Sequence, residues 1–159
     1  MQSRSLSPYY WGMRERPDAK PSSIDGLFNG FAPNTLYKLA DGTFWVQCDD
    51  RQERGHAENP AVELLALDDG HFLKVAGMDN MVLVQPVEGV IESQVFGRFN
   101  GWTGKTVVKL TNGQVWQQAQ FTRKYAVKYM PPVLIYLTAS GPVMQVAGTR
   151  VKVRQIRQG

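Results

Sequence analysis

The segment KLADGTFWVQ at residues 38–47 returns as KLTNGQVWQQ at residues 109–118. Displacing the chain by 71 positions aligns residues 26–77 with 97–148 without a gap, and 16 of the 52 pairs are identical. FNGF at 28–31 meets FNGW at 99–102, and VAG at 75–77 meets VAG at 146–148. An ungapped register that keeps five glycines, Pro60 with Pro131 and Trp45 with Trp116 implies an internal duplication. A chain of 159 residues then holds two units of about 60 residues each, a size at which a lone unit buries little and gains from packing on its twin.

Within each unit the pattern is that of short strands. TLYKL and TFWVQ flank Asp41-Gly42, and TVVKL and QVWQQ flank Asn112-Gly113. Asp-Gly and Asn-Gly suit a two-residue hairpin turn with positive φ at both positions. That register sets Leu39 opposite Phe44 and Lys38 beside Trp45, with Lys109 beside Trp116 in the second unit. A second hairpin follows, then a last alternating strand, MVLVQPV at 81–87 and RVKVRQI at 150–156. An opening strand precedes the first hairpin. Five strands linked by tight turns suit a small closed or half-closed barrel. No amphipathic helix is expected.

The expected organisation is a flexible N-terminal arm over 1–23, a first barrel over 24–87, a linker over 88–94 and a second barrel over 95–157. The arm carries the cluster Tyr9, Tyr10 and Trp11, a candidate protein interface.

Charge separates the units more than anything else does. Residues 1–92 carry 8 Lys and Arg against 14 Asp and Glu, whereas residues 93–159 carry 10 Lys and Arg and no acid. An acid-free stretch of that length points to a polyanionic partner, or to neutralisation by the acidic half within one chain or between chains. No apolar run nears the roughly 18 residues of a membrane helix, and no apolar signal region stands at the N-terminus. The expectation is a cytoplasmic protein, or one delivered without a cleavable signal, with no membrane contact.

Signals for chemistry are weak. The single Cys48 excludes an intrachain disulfide or a cysteine-rich zinc site. GHAENP at 55–60 lacks the following P-C-x-x-C of zinc deaminases, and His56 and His71 have no metal-ligand spacing. No Walker loop, dinucleotide fingerprint or nucleophile elbow is present. The chain is therefore expected to be no enzyme, with no cofactor, metal or small-molecule substrate.

The retained Lys38–Trp45 and Lys109–Trp116 pairs are either packing anchors of the repeat or a recognition patch. The units differ most between the first hairpin and the shared proline. There the first has DDRQERGHAEN at 49–59, and the second has QFTRKYAVKYM at 120–130. In an extended segment Phe121, Arg123, Tyr125, Val127 and Tyr129 share one face, and Thr122, Lys124, Ala126, Lys128 and Met130 the other. Aromatics interleaved with cations suit single-stranded nucleic acid, and equally a protein interface. In the last strand Arg150, Lys152 and Arg154 share a face, either as a phosphate-tracking stripe or as a charged edge.

The pattern F-x-G-W…T-V-x-K-L-x-N-G-Q-V-W-Q-Q…V-x-V-R-x-I of residues 95–157 resembles small bacterial SH3-like β-barrel domains of unassigned function. Those domains carry a K-L-x-N-G-Q-x-W-x-Q hairpin. Residues 24–87 match more loosely, with Asp41 and Thr43 in place of Asn and Gln. The resemblance implies two tandem SH3-like barrels in an all-β chain, and it brings no functional residues with it. The leading expectation is a nucleic-acid-binding protein. Its phosphate contacts are Arg123, Lys124, Lys128, Arg150, Lys152 and Arg154, and its stacking residues Phe121, Tyr125 and Tyr129. The alternatives are a protein-interaction module meeting an acidic protein surface, such as an adaptor or a small inhibitor, and a homo-oligomer.

Overall fold

The computed structural model describes residues 19–156, which contain strands and turns and no helix. The N-terminal half comprises β1 (Ala19–Ser23), β2 (Leu27–Phe28), β3 (Leu36–Lys38), β4 (Phe44–Gln47), β5 (Ala57–Glu58), β6 (Ala61–Leu67), β7 (Gly70–Val75) and β8 (Met81–Val87). The C-terminal half comprises β9 (Ile91–Gln94), β10 (Arg98–Trp102), β11 (Val107–Lys109), β12 (Val115–Gln118), β13 (Lys124–Tyr129), β14 (Pro132–Thr138), β15 (Gly141–Val146) and β16 (Thr149–Ile156). Each half forms a six-stranded sheet, ordered β1-β6-β7-β8-β4-β3 in one and β9-β14-β15-β16-β12-β11 in the other. Each sheet curls until its outer strands meet, through the bridges Ile24–Leu39 and Val95–Leu110. The result is barrel-like, with a two-stranded ribbon, β2–β5 or β10–β13, beside each sheet.

Alternation explains what fills the interior. Val82 and Val84 in β8, and Val151 and Val153 in β16, point inward from strands whose intervening residues face out. The first core gathers Ile24, Phe28, Phe31, Tyr37, Leu39, Trp45, Val62, Leu64, Leu73, Val75, Val82 and Val84. The second gathers Val95, Phe99, Trp102, Val108, Leu110, Trp116, Val133, Ile135, Met144, Val146, Val151 and Val153. The two sets correspond position by position at the spacing of 71 residues seen in the sequence, except in the last strand. There the turn between β15 and β16 is tighter: Lys74 pairs with Met81 but Val146 pairs with Thr149.

Several expectations change. Each half has eight strands, not five: the two hairpins and the closing strand supply five, the opening strand supplies two because it breaks at Gly26 and Gly97, whose φ values are 109° and 88°, and the divergent loop supplies the eighth. The segment expected as arm contributes β1, which pairs with β6 over Ala19–Ser23. The segment expected as linker contributes β9, which pairs with β14. Both lie in sheets because their amides need ladder partners, and the neighbouring strands offer an open edge. Tyr9, Tyr10 and Trp11 lie outside the described residues.

The first hairpins also differ from the expected register. Lys38 faces Phe44 and Tyr37 faces Trp45, and Lys109 faces Val115. Leu39 N–H donates to Thr43 O, Gly42 N–H donates to Leu39 O, and of the turn residues only Gly42 has positive φ, at 88°. This is a three-residue loop ending in a glycine bulge rather than a two-residue turn. The cause is local. The Asp41 carboxylate accepts from both Thr43 N–H and Thr43 Oγ1, and Asn112 Oδ1 accepts from Gln114 N–H. Such a side-chain turn holds Asp41 and Asn112 out of the left-handed conformation. As a result Lys38 Nζ lies over Phe44 at 5.9 Å and Lys109 Nζ over Phe96 at 5.6 Å, not over the tryptophans. Trp45 and Trp116 are buried anchors whose indoles donate to Thr43 Oγ1 and Gln114 Oε1.

The halves meet along β3. Leu36, Tyr136 and Val143 form a buried cluster with Phe44, Val46, Val87, Val90 and Leu134 around it. Tyr136 Oη donates to Asn34 O at 2.6 Å. The Gln145 side chain accepts from Leu36 N–H and donates to Leu36 O, both at 3.0 Å. Lys38 bridges Asp25 and Glu92 at 3.3 and 2.6 Å. Among the described residues no helix is long and apolar enough to cross a membrane.

Candidate nucleic-acid interface

The divergent segment is positioned by one glutamine and one glycine. Gln118, almost fully buried, donates through Nε2 to Gln120 O and Thr122 O and accepts at Oε1 from Gly104 and Thr106 N–H. Gln47 does the same work in the N-terminal half, donating to Asp49 Oδ1 and Arg51 O while accepting from Ala32 N–H and Tyr37 Oη. Beyond this clasp the chain runs back across Gly101, where an added β-carbon would lie 2.1 Å from Lys124 O. Gly30 is crossed in the same way, with 2.4 Å to Glu53 O. The shared FNG motif thus marks a backbone crossing. The retention of Gln47 and Gln118 was visible in the sequence, but their role was not, since most of the groups they bind are main-chain atoms.

From this anchorage β13 pairs with β10 and projects its outer face. Tyr125 is 88% exposed and Tyr129 77% exposed, with Val127 between them. Arg98 is the cross-strand partner of Tyr129 and therefore stands on the same face. The opposite face lies toward the second core, against which Ala126 packs, while Lys124 and Lys128 at its margins stay exposed. The expected single alternating face from Phe121 to Tyr129 is shorter than the sequence suggests. Phe121 and Arg123 precede β13, in the loop held by Gln118. There Phe121 is 78% exposed, its ring lies over Gly104, and the Arg123 guanidinium stacks on it at 5.9 Å.

The loop leads to two of the cations on β16. Gln120 Oε1 accepts from Lys152 N–H, and Ala119 N–H donates to Lys152 O. Arg154 bonds Gln117 Oε1 at 2.6 Å. Lys152 thus lies beside the loop that carries Phe121 and Arg123, with Arg154 further along β16 against Gln117, and Lys105, which was not singled out from the sequence, follows Gly104 under the Phe121 ring. β16 lies between β12 and β15 in the strand order, pairing with β15 over residues 149–152 and with β12 over residues 153–156. Arg150 stands apart. It is half-buried in the cleft between the halves with Tyr37, Lys38 and Gln145, where its charge acts on both Tyr37 and Tyr136. Burial nevertheless holds those two phenols well above the usual tyrosine range. A wider cleft of about 780 Å³ next to it is bordered by Lys128 and Tyr129 at the end of β13 and by Asp25 and Glu92.

The arrangement offers flat aromatic surfaces beside guanidinium and ammonium groups. Among the described residues no group of three or more His, Cys, Asp or Glu side chains is placed to hold a metal ion. His71 packs against Trp45 with ring centroids 5.1 Å apart. Comparison with protein-family models, with curated proteins and with solved structures finds no match.

Proposed function

We propose that this chain is a non-enzymatic binding protein of two SH3-like barrels derived from one duplicated unit, whose C-terminal half binds single-stranded nucleic acid. One observation carries the reading. Phe121, Tyr125 and Tyr129 stand exposed among Arg98, Arg123, Lys124 and Lys128, in a stretch that contains no carboxylate from residue 93 onward. Large exposed aromatic rings are costly to leave in water unless they have a use, and bases stack on such rings at about 1–3 kcal/mol each. Lys105, Lys152 and Arg154 extend the positive surface beside Phe121 and supply phosphate contacts. Arg150, half-buried between the halves, contributes through the cleft rather than the open face.

Fluorescence anisotropy with labelled oligothymidylate and oligouridylate tests the reading. About five phosphate contacts give affinity falling about 100-fold between about 50 and about 200 mM salt. Tyr125→Ala and Tyr129→Ala each weaken binding about tenfold or more with the salt slope unchanged, whereas Lys152→Ala lowers the slope. Absence of binding at the lower salt concentration overturns the reading.

A further inference from the structure

Strand β11 forms one side of the C-terminal sheet, and only part of its outer edge is covered. At its far end Leu110 is bridged to Val95, and Lys109 O accepts from Phe96 N–H at 2.7 Å. The near end is open. Leu110 N–H donates to Gln114 O and Gln118 N–H to Thr106 O. Amides in an antiparallel ladder alternate in direction, so Val107 turns its N–H and C=O away from β12. Among the described residues neither group has a partner. The Val107 side chain is 53% exposed.

The N-terminal half shows what this position receives. Leu36 stands at the place of Val107, and the amide of Gln145 bonds both its N–H and its C=O. One donor and one acceptor side by side are what the peptide group of an adjacent strand presents. Gln145 is engaged there and cannot also serve β11. Its counterpart in the N-terminal half is Lys74, which has donors only, so a second copy stacked end to end brings no matching group. Pairing of β11 with itself about a two-fold axis brings Lys109 of each copy toward Lys105 in the bend before β11 of the other, a like-charge approach.

We infer that the β11 edge receives an extended acidic segment of a partner protein, added as a further strand at Val107. This goes beyond nucleic-acid binding, because it uses the main-chain atoms of Val107 and none of the exposed rings of Phe121, Tyr125 and Tyr129; Lys105 is common to both surfaces. Lys109 lies two residues beyond Val107 on the same face of β11, and Lys105 is exposed in the bend just before the strand. Phe96, 62% exposed, lies beneath the Lys109 ammonium. The complementary segment is acid–x–apolar–x–acid: the apolar residue meets Val107, and the acids meet the two lysines. Strand addition of this kind draws affinity from main-chain bonds and specificity from alternate side chains.

The test uses the full chain, a peptide of about ten residues centred on Glu-Thr-Val-Thr-Glu, and the same peptide N-methylated at alternate amides. The expected result has three parts. The unmodified peptide protects the Val107 amide from hydrogen exchange. N-methylation weakens binding at least about tenfold. Val107→Pro, which removes the donor and keeps both lysines, weakens peptide binding to the same extent and leaves oligothymidylate affinity unchanged. Equal affinity for the two peptides overturns the inference. So does protection of Val107 by oligothymidylate, or by rising protein concentration alone, since these assign the edge to nucleic acid or to a second copy. A peptide carrying Lys in place of Glu controls for Val107→Pro and must bind neither form.

Discussion

An alanine at Gly101 would place a β-carbon 2.1 Å from Lys124 O, at a φ of 97°. An alanine at Gly42, with a φ of 88°, meets no atom within 4 Å. The two substitutions separate conformational strain from collision. Gly42→Ala should cost about 1 kcal/mol, the strain of a left-handed residue. Gly101→Ala should cost about 3 kcal/mol or more, because the β10–β13 crossing must also move apart. Urea unfolding of both variants measures the difference, and equal costs would remove the crossing from the account. Gln118→Ala leaves two carbonyls and two amides without the clasp and should cost about 2–4 kcal/mol. It should also loosen Phe121 and Arg123 and thereby weaken oligonucleotide binding. The motif FNG and the shared glutamine could be read as retained from sequence alone. Why they are retained could not, since each acts on backbone atoms more than twenty residues away or in an irregular loop, where side-chain pattern carries no signal.

At the scale of elements, the alternating strands were legible and the turns less so. β8 matches the alternation of residues 81–87 because its valines have one buried side and one open side. The first hairpin misled by one residue because Asp-Gly permits two loops, and the choice depends on where the Asp41 carboxylate finds donors. That carboxylate now carries a prediction. The side chain and then the backbone amide of Thr43 hold Asp41 below its ordinary pKa, and the Asp79 amide and the Asn80 side chain do the same for Glu53. Unfolded, both titrate near pH 4. The unfolded chain therefore binds more protons as pH falls past that value, and stability drops with it. The stabilisation is whole above about pH 4 and is lost as pH falls through the lower folded values. The C-terminal half has Asn112 and Lys124 at these positions and no such dependence. Hydrogen exchange followed from about pH 5 down to about pH 2.5 should show β3–β4 and the loop before β5 opening first. Asp41→Asn should remove the turn's share of the effect. Simultaneous opening of both halves would place the acid sensitivity elsewhere.

For the whole molecule, the two cores correspond and the surface joining them does not. Tyr136, Val143 and Gln145 make the contact with β3, and the residues at their places in the N-terminal half are Leu65, Phe72 and Lys74. A repeat visible in sequence therefore predicts each core but not the junction, which forms where the side chains of the two halves differ. This asymmetry makes the N-terminal half the dependent partner, because beyond the contacts of Ile24 and Asp25 with Leu39 and Lys38 its β3 edge is closed by Gln145, with Tyr136 on the preceding Asn34. Tyr136→Phe removes one hydrogen bond and should cost about 1 kcal/mol, while Gln145→Ala uncovers both main-chain groups of Leu36 and should cost about 2–4 kcal/mol. In the parent chain, exchange of β3 and β12 amides should respond to urea together. In the double variant Tyr136→Phe/Gln145→Ala, β3 should open at lower urea than β12, because only its own edge has been stripped. Coincident opening in the double variant would mean that the Lys38 bridge to Glu92, or the apolar cluster around Leu36, couples the halves without the hydrogen bonds. Adding Lys38→Met to the double variant then separates these two, since only the ionic link is lost.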